Sequence, residues 1–255
     1  MLKKNEIPIL EYDDTSYAVI MPTHEKLDIK LPQKAVFAFL GDCIDNYAIE
    51  HDCKIVATFD SITKQYPIYV TEYKGEFVCL CQAPCGSAPA TQILDWLIGY
   101  GVKEVISTGS CGALLEVPEN TFLVPRKALR DEGTSYHYLP PSRFVELDSK
   151  ALGAIEATLT SNNYLYTECT TWTTDGFYRE TKDMVEYRKE EGCSVVEMEC
   201  ASLAACAKFR NILFGQILFT ADTLADIHNY DERGFGGDSF ETALLLCLDA
   251  VVSIR

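Results

Sequence analysis

Apolar residues along this chain fall into short, near-continuous runs. Those rich in β-branched and aromatic residues predict strands at 17–20, 35–40, 55–59, 66–72, 77–81, 104–107, 121–124, 194–198 and 213–220. Apolar positions recurring every three or four residues predict helices at 45–51, 88–99, 150–161, 182–190, 199–209 and 239–253. A strand that is apolar on both faces must be covered on both, and several runs lead directly into helices. The pattern predicts an α/β sheet with helices on both faces. No Gly/Ser/Pro-rich linker, repeat or low-complexity tract interrupts it, so 1–255 reads as a single domain. In such folds the chemistry collects at the carboxyl ends of strands.

Composition then narrows the classes. With 47% hydrophobic and 24% charged residues in 255, the chain can bury a substantial core, which excludes disorder, collagen and coiled coil. Thirty-eight acidic against 22 basic residues give a formal charge of −16, a field that opposes nucleic acid and anionic membrane, and neither is expected as a partner. The N-terminus lacks the apolar stretch of a signal peptide, and the longest apolar runs, 35–40 and 243–252, fall short of a bilayer span. Eleven scattered cysteines without a Cys-X-X-Cys pair read as reduced thiols of a cytoplasmic protein. The histidines, His24, His51, His137 and His228, stand far apart, so no metal or other cofactor is expected.

Four strand ends carry residues that packing alone does not require. At Phe39-Leu40-Gly41-Asp42 an apolar strand stops on a glycine and a carboxylate, either a plain strand-to-helix turn or a ligand site. At Ser107-Thr108-Gly109-Ser110-Cys111-Gly112 small residues follow a strand; they form either a tight turn or a site whose hydroxyls and backbone N–H groups meet a polyhydroxyl or anionic ligand. In Val195-Val196-Glu197-Met198-Glu199-Cys200 two carboxylates interrupt a buried-looking strand where a helix takes over. Burying a carboxylate without compensation costs several kcal/mol or shifts its pKa. A helix dipole accounts for Glu199 better than for Glu197. Finally, Leu218-Phe219-Thr220-Ala221-Asp222 ends on an acid that either caps a turn or faces a ligand. Together these ends describe a cleft rich in acids and hydroxyls and poor in cations, suited to a neutral, hydroxyl-rich substrate.

Taken in order, Gly41-Asp42, Thr71-Glu72-Tyr73-Lys74-Gly75, Thr108-Gly109-Ser110-Cys111-Gly112, Phe177-Tyr178, Val196-Glu197-Met198-Glu199 and Asp222 resemble the nucleoside phosphorylase superfamily. That superfamily contains purine nucleoside phosphorylases, uridine phosphorylases and the methylthioadenosine/S-adenosylhomocysteine nucleosidases. The resemblance implies a three-layer α/β/α sandwich around a twisted, mostly parallel mixed sheet, and a homo-oligomer, dimer or hexamer. It implies that Met198 and Glu199 hold the sugar, Phe177 stacks on the base, and Asp222 protonates or hydrogen-bonds N7 of a departing purine. Glu197, Gly109, Ser110 and Tyr178 are the further substrate-binding candidates. Pyrimidine members read uracil with a glutamine and an arginine from the loop after the Phe-Tyr pair. Here that loop reads Arg179-Glu180-Thr181, without the glutamine, and Arg179 keeps a pyrimidine reading open.

The departures from the family pattern concern phosphate. Two arginines of the phosphorylases are replaced by Asp45 and Ser107, and a third, donated across the subunit interface, aligns with Lys64. A carboxylate in place of a cation repels an anion by about 1 to 4 kcal/mol near 4 Å. Gly41, Ser107 and Lys64 therefore outline a pocket for phosphate or water, with Asp45 as candidate base, or else a helix-surface carboxylate. The family's N-terminal histidine has no counterpart before His24, and His137 is either its replacement or an ordinary surface or core histidine. These features favour cleavage of a purine nucleoside by water. A phosphorylase using inorganic phosphate as co-substrate, through Lys64, Arg179 or Arg126, is the alternative, and a non-catalytic nucleoside-binding or storage relative is the third.

Overall fold

The computed structural model describes residues 2–255. Among them, ten strands belong to one sheet: β1 (Lys34–Phe39), β2 (Lys54–Asp60), β3 (Gln65–Tyr73), β4 (Glu76–Gln82), β5 (Glu104–Ala113), β6 (Phe122–Asp131), β7 (Phe144–Glu146), β8 (Tyr166–Thr174), β9 (Val195–Glu197) and β10 (Leu213–Thr223). Six helices flank it: α1 (Cys43–Glu50), α2 (Ser87–Gly99), α3 (Ser149–Ser161), α4 (Lys182–Glu190), α5 (Cys200–Arg210) and α6 (Phe240–Ser253). The expected α/β architecture is present. No helix among the described residues is long and apolar enough to cross a membrane.

The centre of the sheet is parallel: β4, β1, β5 and β10 lie side by side. Their residues are almost wholly buried, as strands covered on both faces must be, with Phe37, Leu80, Ile106 and Phe214 among the inaccessible side chains. Antiparallel β3 and β2 extend one edge. On the other side β10 pairs with β6, β6 with β8, β8 with β9, and β9 returns to the last residues of β5. Pairing thus closes a ring of five strands, and the mouth of that ring is where β5, β9 and β10 end. Helix α2 packs on α5, and α3 and α1 pack on α6, forming two groups of helices around the sheet.

Several elements differ from expectation for identifiable reasons. The run 17–20 is not a strand: Tyr17, Val19 and Ile20 are exposed, and with no neighbouring ladder the backbone crosses the surface instead. Strand β5 does not stop at Ser107. Its small residues continue as strand to Ala113 because β1, β10 and β9 all pair with them. Strand β8, absent from the hydrophobic pattern, contains Thr167, Thr170, Thr171, Thr173 and Thr174; β-branched threonine favours a strand without signalling burial.

Candidate active site

The mouth of the ring opens into a cleft of about 730 Å³. Its floor comes from Gly109, Ser110, Cys111 and Gly112 of β5. Its sides come from Glu197, Met198 and Glu199 at the β9–α5 junction, and from Gln216, Ala221 and Asp222 of β10. The turn after β1 adds Gly41, the β2–β3 hairpin adds Lys64, the segment before α2 adds Cys85, and the 3₁₀ turn at Phe177–Arg179 adds Phe177. Gly112 leaves room here: a Cβ would sit 3.0 Å from both Val196 and Leu224 and 3.3 Å from the Asp222 carboxylate, so each of these side chains would have to give by a few tenths of an ångström.

The two carboxylates of the Glu-Met-Glu run have different fates. Glu197 is buried and fully bonded. Its Oε1 accepts from the hydroxyls of Thr171 (3.0 Å) and Thr173 (2.6 Å), and its Oε2 from the N–H groups of Glu199 (2.8 Å) and Cys200 (2.7 Å). Burial pushes its pKa up, and these four donors oppose the shift. The first turn of α5 is therefore satisfied by Glu197, reversing the expectation that the helix terminus would account for Glu199. Glu199 accepts from the Gly86 N–H, and among the described residues no cation pairs with it. Burial, and then the charge of Glu197, push it up to about 8. Gly86, at φ +98°, presents that N–H from a conformation that a side chain would strain. The Met198 carbonyl accepts from the Ser87 hydroxyl at 2.6 Å, so α2 and α5 are tied together directly beneath the cleft.

On the opposite wall Asp222 is shifted upward by burial, against hydrogen bonding from Tyr230 and the nearby charge of Arg233. Glu180 also lines the cleft, pushed up to about 7 by burial and by the charge of Asp222. Four carboxyl groups thus face a single lysine. Lys64 donates to Gln82 at 3.3 Å and lies 5.4 Å from the Tyr66 ring centroid. Phe177 is half exposed and meets Tyr178 edge to face at 5.0 Å.

Most of the residues singled out from the sequence meet in this cleft: Gly41, Lys64, Gly109, Ser110, Phe177, Glu197, Met198, Glu199 and Asp222. Six do not line it. Asp45 lies on α1 with its Oδ1 accepting from the Tyr69 hydroxyl at 2.9 Å. Ser107 is fully buried in β5. Tyr178 and Arg179 point to solvent from the 3₁₀ turn. His137 lines a separate cavity with His24, beneath the N-terminal segment, and Arg126 is paired with Glu156 and Glu168. Glu180, Cys85, Gln82 and Gln216 line the cleft without having been singled out for it. Glu180 is signalled only by standing two residues after the Phe-Tyr pair; Gln216 is a buried polar residue inside an apolar strand, and its Oε1 has no partner in the structure.

The family model described as "Phosphorylase superfamily" matches residues 40–253. A guanosine phosphorylase of Halorubrum lacusprofundi is 25% identical over 155 residues, 60% of this chain and 64% of that protein. The match therefore spans less than two thirds of that relative's length. An AMP nucleosidase structure from Bacteroides thetaiotaomicron superposes with a TM-score of 0.72 and 26% identity, covering 88% of this chain and 90% of that one. A uridine phosphorylase structure from Vibrio fischeri superposes with a TM-score of 0.76 over 88% of this chain and 95% of that one; at 20% identity it shows the fold alone.

Proposed function

Because the chain belongs to the Phosphorylase superfamily, whose model matches residues 40–253, we propose that it cleaves the N-glycosidic bond of a purine nucleoside, with water as nucleophile. The observation that carries the reading is the pairing, in one cleft, of a buried carboxyl without a cation, Glu199, and a second buried acid, Asp222. Breaking the bond builds positive charge on the sugar and negative charge on the base. Glu199 accepts hydrogen bonds from ribose hydroxyls and, as they donate, gains the anionic character that steadies the cationic sugar. Asp222, whose pKa burial raises, protonates or hydrogen-bonds N7 of the leaving purine, a contribution of about 10²–10⁴ in rate where it acts as general acid. The half-exposed Phe177 ring offers the base a stacking face. The guanosine phosphorylase and AMP nucleosidase relatives both carry purine names, which supports the choice of base.

The charge balance favours water. Four carboxyls and one lysine line the cleft, and that lysine already donates to Gln82. A phosphate dianion would find a single cation there, already engaged, where bidentate guanidinium contacts would be needed to hold it. Asp45, held by Tyr69 outside the lining, is not assigned as the base. Phosphorolysis is the second reading, favoured by Lys64 at the cleft wall. A storage role accounts for Glu199 as a ribose ligand but not for an acid such as Asp222 placed to meet a leaving base. The cysteines are free thiols throughout, which fits a cytoplasmic setting. A homo-oligomer completes the proposal and is checked by light scattering.

The deciding experiment is base release from purine nucleosides in phosphate-free buffer and in millimolar phosphate, followed by HPLC. Equal rates with free ribose as product are expected. Strict phosphate dependence with ribose 1-phosphate as product selects phosphorolysis, and no release from any nucleoside selects the storage role.

A further inference from the structure

Behind Phe177 and Asp222 the cleft adjoins a second cavity of about 390 Å³, and the two share Phe177, Glu180 and Asp222 as walls. The rest of this chamber is mainly apolar, with Val185 of α4, Leu224 and Ile227 after β10, and the ring of Tyr230. Lys182 and Asp226 also border it, but both are engaged by His228: Lys182 Nζ lies 2.9 Å from its Nδ1, and Asp226 Oδ1 accepts from its backbone N–H at 2.9 Å. A carboxyl edge formed by Asp222 and Glu180 is therefore followed by an apolar space.

A purine that presents N7 to Asp222 presents its six-position on the same edge, beside Glu180. An unsubstituted amine or oxo group there would end at the carboxyl edge and leave the apolar walls against water. A secondary amine keeps one N–H to donate to Glu180 and carries its substituent onward between Leu224, Ile227 and Tyr230, where burial of apolar surface is favourable. We propose that this chamber is a subsite for an apolar substituent on the exocyclic nitrogen of adenine, so that the protein's substrates include nucleosides of N6-alkylated or N6-benzylated adenine. The inference rests on the purine-cleaving reading above and names the substrate class that reading leaves open.

The test compares adenosine with N6-benzyladenosine. In the unmodified protein kcat/KM for the benzyl nucleoside is expected to exceed that for adenosine or fall no more than about tenfold below it. Ile227→Trp, which fills the chamber, is expected to lower kcat/KM at least about tenfold for the benzyl nucleoside and less than about twofold for adenosine. Ile227→Ala gives a milder perturbation, expected to cost the benzyl nucleoside about threefold through lost wall contact. A benzyl nucleoside cleaved more than about tenfold worse than adenosine, or Ile227 variants that slow both substrates alike, overturns the subsite. If neither nucleoside is cleaved, the purine-cleaving reading fails instead. Calorimetry with N6-benzyladenine and adenine then decides the chamber separately: tighter binding of the benzylated base upholds it, and equal or weaker binding overturns it.

Discussion

The two ends of helix α5 hold buried carboxylates in opposite conditions. At its C-terminal end Arg210 clasps Asp95 of α2 through two hydrogen bonds of 2.7 and 2.9 Å. The Tyr138 hydroxyl donates to the same carboxylate at 3.1 Å, and Arg210 also holds the Ser16 carbonyl at 3.1 Å, pinning the N-terminal segment. At the N-terminal end Glu199 is equally buried but has no cation and a pKa near 8. The helix dipole favours an acid at one end and a base at the other, so it does not explain the contrast. Compensation does. A carboxylate whose charge is answered within the fold locks elements together, whereas one left unanswered is held in readiness for a ligand.

Breaking the compensated end gives the largest expected effect. Arg210→Ala leaves Asp95 buried with only the Tyr138 hydroxyl, and removing one partner of such a pair costs about 3–5 kcal/mol. Urea denaturation should show that loss, while turnover per folded molecule stays near wild type. A cost below about 1 kcal/mol would make the pair no more than a surface bridge and remove one side of the contrast.

At the uncompensated end the expected loss is catalytic. Glu199→Gln and Asp222→Asn should each lower turnover by at least about a hundredfold, near 2.7 kcal/mol, with circular dichroism unchanged. Wild-type rates in both variants would detach these carboxyls from the reaction and leave their burial unexplained.

The contrast is sharpened by pH. Below the ordinary value of 4.5, Glu199 is protonated in both folded and unfolded chains. Between there and about 8 the unfolded chain releases the proton while the folded one keeps it, so this group's contribution to stability falls as pH rises and is lost above that range. Glu180, pushed up to about 7, acts in the same direction. Glu199→Gln removes the penalty, and near pH 9 it should be more stable than wild type by on the order of 2 kcal/mol while remaining inactive. A variant that is less stable than wild type across the whole range would show that Glu199 is answered within the fold after all.

How much of this was legible in the sequence follows the same division. Elements whose apolar residues are contiguous, such as β1, β4 and β10, are read directly from the pattern, since burial on both faces leaves no other composition open to them. Strand β8 is not, because its threonines face both the sheet and Glu197, and a hydroxyl that satisfies a buried acid looks polar on the page. The cleft's carboxyls stand out because Glu197, Glu199 and Asp222 interrupt apolar runs. Cys85 sits in a Pro-rich segment where nothing marks it until the ring of strands forms the cleft, and Glu180, in a polar segment, is signalled only by its nearness to the Phe-Tyr pair. The roles of Glu197 and Glu199 could not be divided from spacing alone, since only the positions of Thr171 and Thr173 show which acid is anchored.

The smallest effect is expected at Asp45, where sequence and geometry point different ways. The family resemblance read from the sequence sets it in place of a phosphate-binding arginine, near where a hydrolase would carry its base, and that expectation is a proposal to be tested. In the fold it is half-buried on α1, outside the cleft lining, with Oδ1 occupied by the Tyr69 hydroxyl, whose own pKa is pushed up to about 12 by burial and that contact. Asn keeps an oxygen for Tyr69 and loses only the charge assistance, so Asp45→Asn should cost about 0.5–1.5 kcal/mol in stability. Turnover should change less than about threefold, well short of the 10²–10⁴ typical of a lost general base. Tyr69→Phe supplies the complementary measurement: it frees the carboxylate without removing it, and turnover should again be nearly unchanged. A hundredfold loss in Asp45→Asn, with Tyr69→Phe unaffected, would place the carboxylate in the reaction. Asp45 would then have to leave Tyr69 during turnover, and an acid that the fold had already answered would be doing chemistry.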